Sequence, residues 1–332
     1  MKTIKRWIPV ALLTWQMTAW GQNPNLGTSG AQFLKIPVSA RAAAMGGAYV
    51  AICGDATAPF WNPAGITRVK THATHFSHTR WLDTFDFNAA SYVYNGGTFG
   101  TLAASVTMLG VDQMEITSES EPNGTGEFFD AQDVAVALSY GRELTDRFRV
   151  GLTGRFVQQR IWNESAKGVA FDVGTQYQLP FRNLTIAMCM SNFGGDMKYS
   201  GSDLGVKWDG DDYLPNRLVP TQLETETFAL PLNFAFGIAM DLFRTSYAKG
   251  IVALDAVHPN DNKERIHLGT ELTFFDRLAL RAGYKVNMDE ELWDVGFGVN
   301  AFSLGIPLSC DYSYSAYDIL PDVHRFSFGL SF

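Results

Sequence analysis

Charged residues are scarce in this 332-residue chain, and acidic residues outnumber basic ones. Asp, Glu, Lys and Arg together make up 18% of the sequence, and the formal net charge is -8. A nucleic-acid-binding surface needs clustered Lys and Arg side chains to neutralise phosphates. The composition therefore argues against nucleic acid as a partner.

Cysteine is also rare, and recognisable catalytic motifs are absent. The three cysteines, Cys53, Cys189 and Cys310, are widely scattered and match neither a disulfide scaffold nor a metal site. We interpret them as isolated small apolar residues, with a Cys53–Cys189 bridge as the alternative. No nucleophile elbow, phosphate-binding loop, dinucleotide fingerprint or zinc-protease motif occurs. We therefore predict no enzymatic activity, no cofactor and no metal.

After residue 22 the chain lacks an apolar run long enough for a transmembrane helix, although 46% of its residues are hydrophobic. Before that point, basic residues precede an apolar run from Trp7 to Met17, and small residues flank Trp20. This pattern is typical of a secretory signal peptide, which we predict over residues 1–21. An N-terminal membrane anchor is the alternative. Any membrane-embedded form of the mature chain must then be a β-barrel.

From Thr71 onward, apolar and polar residues alternate with period two, which indicates strands with two different faces. For example, Val169, Phe171 and Val173 alternate with Asp172 and Gly174. Each predicted strand has about the length that crosses a bilayer at a tilt. The pattern predicts about fourteen strands, at 72–80, 84–94, 98–109, 132–142, 148–161, 168–178, 184–193, 228–241, 247–257, 264–274, 278–287, 292–301, 306–316 and 324–332.

The connections between these strands support a membrane barrel. Every second connection is short, whereas the intervening ones include the two longest, 111–131 and 193–228. Outer-membrane barrels have short periplasmic turns and longer outer loops. The last strand alternates and ends on Phe332, which resembles the C-terminal assembly signal of such barrels. We therefore predict an all-β fold, a closed antiparallel transmembrane barrel over residues 71–332 in contact with outer-membrane lipid.

If the apolar faces of these strands meet lipid, their polar faces line an enclosed lumen. Phe85, Phe87, Ala89 and Val93 then face lipid. Because unpaired charge is costly in a narrow interior, charges of both signs predict a structural network rather than a catalytic centre. We take Asp172, Asp255, Glu271 and Arg281 as its members. The full set of predicted lumenal charges is Asp86, Arg155, Asp172, Asp255, Glu271, Arg281, Lys285, Asp294 and Asp311.

Residues 22–70 precede the predicted barrel and contain a compact, half-apolar passage, "DATAPFWNPAGI", from Asp55 to Ile66, which we call the elbow. Ahead of it, Ser39 is expected to cap an alanine-rich helix over residues 40–53. In the elbow, Asn62 is expected to bond its own backbone, Pro63 to fix φ, and Gly65 to permit a turn into the first strand. Phe60 and Trp61 are expected to anchor the elbow against the barrel wall or interface.

The run "SARAAAMGGAYVAICGDATAPFWNPAGI", Ser39–Ile66, resembles the N-terminal signature of the PorV/PorQ family of outer-membrane proteins. More distantly, its "NPAG" is similar to the same tetrapeptide in FadL-type fatty acid transporters. Residues 168–179, 253–274 and 278–286 also resemble barrel strands of the PorV/PorQ family. The resemblance implies a fourteen-stranded barrel of the bacterial outer membrane, with residues 22–70 as a plug tucked into or under the lumen.

The resemblance also implies a role in the type IX secretion system, with secretion-system proteins and secreted cargo as partners. The function would be binding, and the long outer loops are the expected contact surface, through Phe128, Phe129, Trp208 and Tyr213. The quoted residues fit a PorV-like shuttle, a PorQ-like attachment subunit or a paralogue with neither role. The rival hypothesis is a FadL-like transporter of a hydrophobic small molecule. It predicts a continuous apolar pocket beneath the outer loops that involves Met108, Phe156, Met188 and Met190. Against it, the alternation places Met188 and Met190 toward lipid, and the predicted lumen is charged.

Overall fold

A computed structural model describes residues 25–209, 218–288, 290–301 and 305–332, with only the backbone described at 208, 209, 218 and 219. The predicted signal peptide, residues 1–21, lies outside this part of the chain. The strands are β1 (His72–Trp81), β2 (Phe85–Asn95), β3 (Thr101–Val111), β4 (Met114–Glu115), β5 (Phe128–Phe129), β6 (Ala131–Thr145), β7 (Phe148–Ile161), β8 (Glu164–Gln178), β9 (Thr185–Gly194), β10 (Met197–Gly201), β11 (Gly205–Asp209), β12 (Leu218–Gln222), β13 (Thr227–Phe228), β14 (Asn233–Arg244), β15 (Ala248–Pro259), β16 (Arg265–Phe274), β17 (Leu278–Val286), β18 (Glu291–Asn300), β19 (Leu308–Tyr317) and β20 (Val323–Ser331).

Helical structure in these residues is confined to one short α-helix and several single 3₁₀ turns. The α-helix is α1 (Ala40–Ala44), and the 3₁₀ turns are Gln32–Lys35, Ala58–Phe60, Pro63–Arg68, Gly97–Phe99, Phe181–Asn183 and Ser202–Leu204. Across the described ranges, no helix has the length and apolar character needed to cross a membrane.

Within the described residues, fourteen long strands form one closed antiparallel barrel: β1–β3, β6–β9 and β14–β20. Each of these strands pairs with the next along the chain, and the ring closes where β1 pairs with β20, with Phe76 opposite Phe328. The predicted all-β barrel of about fourteen strands is confirmed. We call the end where β1 begins and β20 finishes the turn end, and the opposite end, which carries residues 112–130 and 195–232, the loop end.

Alternation of side chains between lumen and outer surface follows the sequence pattern on most of the wall. In β8, Val169 and Phe171 point outward, whereas Asp172 is buried inside. In β20, Phe326 and Phe328 point outward while Arg325 is buried. Period-two patterning therefore places apolar side chains on the surface that meets lipid.

The predicted faces of β2 are wrong. Phe87 and Val93 are buried in the lumen, and Asp86 points outward, where it forms an ion pair with Arg80 (Nη1 to Oδ1, 3.4 Å). Both faces of β2 are apolar over much of its length, because the N-terminal segment packs inside the barrel against the inward face. Alternation alone could not assign the lumenal side of such a strand.

Residues 25–70, which we call the plug, fill the lumen. The plug starts at the loop end, where Gly27 N donates to the carbonyl oxygen of Asp261 in the β15–β16 loop (3.2 Å). It finishes at the turn end, where Asn95 Nδ2 donates to the oxygen of Val69 (2.7 Å), three residues before the first strand begins at His72. The chain therefore runs down the inside of the barrel before it enters the wall.

The predicted helix over residues 40–53 is much shorter in the structure. Helix α1 ends at Ala44 because Gly46 and Gly47 adopt φ values of 65° and 74°, the left-handed conformation that terminates a helix. Ser39 precedes the helix with a φ of 81° and makes no side-chain capping hydrogen bond. The expected Ser39 cap is therefore absent, and the alanine-rich segment is mostly tight turns.

Candidate functional site: the plug, the lumen and the outer loops

The elbow is fixed by the side chain of Asn62, which is completely buried. Its Oδ1 accepts a hydrogen bond from Ala64 N (3.1 Å), and its Nδ2 donates to the oxygens of Val50 (3.2 Å) and Thr175 in β8 (3.1 Å). Pro63 occupies the first position of the 3₁₀ turn that follows, where its missing N–H costs nothing. Asn62 therefore joins the elbow to both the plug and the wall.

Gly65 has a different role from the expected one. It lies in a 3₁₀ turn without a positive φ, so its backbone conformation does not require glycine. Instead, a Cβ at this position would lie 2.6 Å from the oxygen of Cys53 and 2.9 Å from its Sγ. Gly65 is therefore needed for close packing inside the plug.

Phe60 and Trp61 pack inside the barrel, in apolar clusters that contain both plug residues and inward-facing wall residues such as Phe87 and Val93. Trp61 Nε1 donates to the oxygen of Val38 (3.0 Å), and its ring meets the Tyr49 ring edge-on with centroids 5.6 Å apart. Phe60 packs against an apolar cluster that includes Phe33 of the plug. These contacts hold the elbow to the segments before it.

Glycines on the inner wall leave room for the plug on two sides of the barrel. On one side, Cβ atoms on Gly151 and Gly174 would overlap Pro63 and Asn62 of the elbow. On the other side, a Cβ on Gly269 would lie 2.5 Å from the oxygen of Met45, and one on Gly283 would overlap Gly46. The backbone of the plug thus lies directly on the wall, which leaves no space for a solute at these contacts.

A chain of ion pairs ties α1 to the wall. Arg41 binds Glu271 of β16 through two hydrogen bonds, Nε to Oε2 (2.8 Å) and Nη2 to Oε1 (2.9 Å). Glu271 also accepts from Arg281 Nε (2.6 Å), and Arg281 reaches Asp311 of β19 (Nη1 to Oδ1, 2.6 Å). Arg41 Nη1 lies 3.1 Å from Asp55 Oδ2 at the start of the elbow. Plug and wall therefore share one mixed-charge network.

Asp55 is held in its ionised form by this network. Its Oδ2 also accepts from the Tyr49 hydroxyl (3.0 Å), and its Oδ1 accepts from Thr57 N (2.9 Å) and from the Thr57 hydroxyl. Burial alone would raise the pKa of this carboxyl. The positive charge of Arg41 and the Thr57 hydrogen bonds outweigh that effect and hold the pKa of Asp55 below its ordinary value.

The four predicted lumen residues belong to three separate groups. Glu271 and Arg281 are directly paired, whereas Asp255 Oδ2 accepts hydrogen bonds from Tyr49 N (2.7 Å) and Val50 N (2.9 Å) of the plug. Asp172 binds Arg155 within the wall (2.7 Å), away from the plug. The alternation in the sequence correctly predicted that these side chains face the lumen. It could not predict their partners, because the partners of Asp255 and Glu271 include plug residues.

Arg41 and Asp55 were missed by the sequence analysis although both are central to the network. Arg41 is the only charged residue in the alanine-rich stretch, and Asp55 opens the elbow. A lone arginine among buried alanines requires an acidic partner, and that requirement was the available signal.

A second contact holds the start of the plug at the loop end. Lys35 forms an ion pair with Asp261, and Gln32 Nε2 donates to the other carboxylate oxygen (2.8 Å). Burial would raise the pKa of Asp261, but the hydrogen bonds from Lys35 and Gln32 keep it below its ordinary value. The plug is therefore attached at both ends of the lumen.

Of the four predicted partner-contact residues, Phe128 and Phe129 lie at the loop end. Phe128 is 55% exposed in the two-residue strand β5, and Phe129 beside it meets the Trp162 ring with centroids 6.5 Å apart. Trp208 pairs through its backbone with Val219, and only its backbone is described. Tyr213 lies outside the described residues. Phe128 and Phe129 thus offer apolar surface beside the β7–β8 turn.

The residues expected to line a transport pocket do not face the lumen. Met108, Phe156 and Met188 are exposed on the outer surface of β3, β7 and β9, and Met190 shares the outward face of β9 with Met188. An apolar ligand pocket built from these four side chains is therefore not formed.

A cavity of about 300 Å³ lies between the plug and the wall at the turn end. Its lining includes the charged residues of the Arg41 network, together with Asp276 and Arg277 of the β16–β17 turn. Charged residues and small apolar residues both line this cavity, which lies beside the short turns.

Comparison with known proteins places the chain in a family. Residues 20–256 match the family described as "Type IX secretion system protein PorV". No curated protein matches the sequence at a significant level.

Several solved outer-membrane structures share the fold. The CymD monoaromatic hydrocarbon channel aligns with a TM-score of 0.56 at 13% identity, covering 90% of this chain and 98% of the channel. The Ralstonia pickettii toluene transporter TbuX aligns with a TM-score of 0.56 at 12% identity, covering 89% of this chain and 98% of that one. A Pseudomonas aeruginosa FadL homologue aligns with a TM-score of 0.51 at 12% identity, covering 95% and 100%. At such low identity the likeness extends to the fold alone.

Proposed function

Because the chain belongs to the PorV family of type IX secretion system proteins, we propose that it serves protein export at the bacterial outer membrane by binding. Secreted proteins or translocon subunits would dock on its outer loops during export and surface attachment. The loop end faces the cell exterior in this proposal, since outer-membrane barrels keep their short turns in the periplasm. Residues 1–21 would be removed as a signal peptide before the barrel assembles.

The observation that carries this proposal is the occupied lumen. The plug contacts glycines on opposite walls and is bound by Arg41 to Glu271 and by Lys35 to Asp261. Because the plug occupies the lumen, we favour a protein that binds partners on its outer surface. Partner binding at the exposed loops agrees with it better than flow through the barrel does.

Phe128 and Phe129 supply the apolar surface for such a contact. Aromatic side chains are enriched at the centres of protein interfaces, where they bury a large area on docking. Phe128 lies at the loop end and is 55% exposed, so a soluble partner could contact it there. Trp208 and Tyr213 are the other two residues that we propose for partner contact.

The test is purification of the tagged full-length protein from native membranes, with identification of the proteins that accompany it. We expect secreted proteins or translocon subunits in the wild-type preparation and their loss from a Phe128→Ser/Phe129→Ser double variant. The control is Phe275→Ser, which removes an exposed phenylalanine at the turn end and should retain the partners. A wild-type preparation with bound lipid and no protein partner would overturn the proposal.

The rival function is transport of a hydrophobic small molecule. It is supported by the shared fold with proteins named as hydrocarbon channels and toluene transporters. The outward positions of Met108, Phe156 and Met188 weigh against it, because they remove the pocket on which we based it. A bound apolar ligand in the purified barrel would favour this rival.

A further inference from the structure

Strands β11 and β12 form a two-stranded ribbon at the loop end, separate from the sheet of the barrel. β11 pairs with β12 in antiparallel fashion, and no third strand within the described ranges joins either edge. The described side chains of the ribbon are exposed, among them those of Val206 and Lys207. A two-stranded ribbon is only marginally stable in water, and an unpaired edge is a template for a further strand.

The ladder between the two strands determines which backbone groups face the edges. Leu223 N donates to the oxygen of Leu204 (2.7 Å), so these two residues form a hydrogen-bonded pair. Hydrogen-bonded and non-hydrogen-bonded pairs alternate along an antiparallel ladder. Lys207 opposite Pro220, three positions further on, is therefore a non-hydrogen-bonded pair. The N–H and carbonyl of Lys207 thus point away from β12, toward the open side of β11.

The two edges of the ribbon differ in the groups that they offer. Pro220 lies in the middle of β12 and has no N–H, so the outer edge of β12 lacks a central donor. On β11, Lys207 offers both a donor and an acceptor, and the backbone of Asp209, two residues on, faces the same side. The N–H of Gly205 donates to the oxygen of Ser202. The open edge of the ribbon is therefore β11, from the carbonyl of Gly205 to the N–H of Asp209.

These edge groups specify the kind of ligand that can pair with them. Donors and acceptors that repeat every second residue match another extended backbone, whose N–H and carbonyl groups repeat with the same period. Val206 lies opposite Thr221, so their branched side chains share one face of the ribbon. A strand added beside β11 would continue that face with its own alternate residues. The edge therefore fits an extended polypeptide segment with apolar residues at every second position.

The ribbon is well placed for such a contact. Trp208, one of the residues that we propose for partner contact, belongs to β11. The chain that follows β12 forms β13, which pairs with β10, and β10 in turn pairs with β8 of the wall. A segment that pairs with β11 would therefore be held at the loop end of the barrel.

We propose that β11 is a docking edge to which a secreted protein adds an extended segment of its own chain as a third strand. Strand addition at this edge rests on the proposed function and specifies how the partner is recognised. Main-chain hydrogen bonds to Lys207 and its neighbours supply affinity, and the face of Val206 and Thr221 selects apolar residues at alternate positions. The competing occupant is a second copy of this chain, paired edge to edge.

The experiment isolates a secreted protein that accompanies the wild-type barrel and titrates it onto purified full-length variants in detergent by isothermal titration calorimetry. We expect Lys207→Pro to weaken binding at least about tenfold, because it removes the edge N–H and leaves a carbonyl of the bound segment unpaired. Lys207→Ala is the matched control, since it keeps the N–H and loses only an exposed charge. Its affinity should stay within about threefold of wild type.

Hydrogen–deuterium exchange locates the added strand in the wild-type complex. Binding should slow exchange of the Lys207 and Asp209 amides and leave the Gln222 amide on the outer edge of β12 unchanged. The Thr221 amide, which faces β11, reports on the ribbon itself and should exchange equally slowly in both unbound variants. If it exchanges faster in Lys207→Pro, the protection pattern of the wild-type complex alone decides the test.

The possible failures are distinguishable. Equal affinity of Lys207→Pro and Lys207→Ala, or unchanged exchange of the Lys207 amide on binding, overturns strand addition and leaves the proposed function standing. A wild-type barrel that purifies without any secreted protein overturns both. A wild-type dimer that Lys207→Pro converts to a monomer assigns the edge to a second copy and overturns strand addition by a secreted protein.

Discussion

Gly283 of β17 lies directly against Gly46 of the plug, so that a Cβ on Gly283 would overlap the Gly46 backbone nitrogen. Each of the two positions requires glycine, and the two requirements are different. Gly46 ends helix α1 with a positive φ, and Gly283 makes room on the wall for the chain that turns there. The closure of the lumen therefore depends on a main-chain contact, which few side-chain substitutions could replace.

We predict that Gly283→Ala displaces the plug. The added methyl group must push backbone instead of a flexible side chain, and overpacking of this kind costs about 1–3 kcal/mol. The expected result is a lower thermal midpoint and faster protease cleavage within residues 25–70. Gly110→Ala is the control, because a Cβ at Gly110 meets nothing within 4 Å. If Gly283→Ala and Gly110→Ala had the same thermal midpoint and the same rate of protease cleavage, the Gly283 contact would not hold the plug.

Arg41→Met should destabilise the plug strongly, because it leaves Glu271 with Arg281 as its remaining partner and deprives Asp55 of its cation. Removing one partner of a fully buried ion pair costs about 3–5 kcal/mol, and we expect a smaller loss here because Arg41 and Asp55 are partly exposed to solvent. The free energy of unfolding in urea, measured on the reconstituted barrel, checks this. Arg80→Met removes an exposed ion pair with Asp86 and should cost less than about 1 kcal/mol. A similar decrease in the free energy of unfolding in Arg41→Met and Arg80→Met would show that the Arg41 network does not stabilise the plug.

Asp55 should make plug stability depend on pH. Because its pKa is lower in the folded protein than in the unfolded chain, its contribution is fully present above the unfolded pKa, about 3.9, and is lost as pH falls through the folded value. We expect the stability difference between wild type and Asp55→Asn to be constant from pH 7 to 5 and to shrink below about pH 4. Thermal midpoints across that range test it. If the difference in thermal midpoint between wild type and Asp55→Asn grew as the pH fell, the pKa of Asp55 would be raised by folding, which would contradict the prediction.

Phe332 should be required for efficient assembly of the barrel. Its backbone N donates to the oxygen of His72 (2.9 Å), so the last residue takes part in the seam that closes β20 onto β1. Deleting Phe332 should reduce the fraction of heat-modifiable, folded protein in the outer membrane, whereas Phe332→Tyr should keep it. Unchanged assembly after the deletion would show that the terminal aromatic is dispensable.

Most of the wall could be predicted from sequence because each strand carries its own signal. Apolar and polar residues alternate over much of β7 and β8, and the predicted 148–161 coincides with Phe148–Ile161. Prediction was poorer at β14, expected at 228–241 and found at Asn233–Arg244. Pro231 interrupts the apolar run before it, and the residues preceding Pro231 pair elsewhere, with Phe228 opposite Met197.

The plug was much harder to predict, since its structure is imposed by the barrel around it. Asn62 and Pro63 could be recognised from local turn chemistry, and Asn62 does bond its own backbone at Ala64. The reason for Gly65 could not, because it depends on Cys53 packing twelve residues earlier in the chain. Likewise, the lumenal face of β2 was assigned wrongly because Phe87 meets plug residues instead of lipid.

The proposed binding role rests on a barrel whose lumen is occupied by residues 25–70. The most direct test is the electrical conductance of planar bilayers that contain the purified full-length protein. The closed lumen predicts no stepwise current above the bilayer background, whereas the Gly283→Ala variant should show intermittent openings. A steady, sizeable conductance from the wild-type protein would contradict the account.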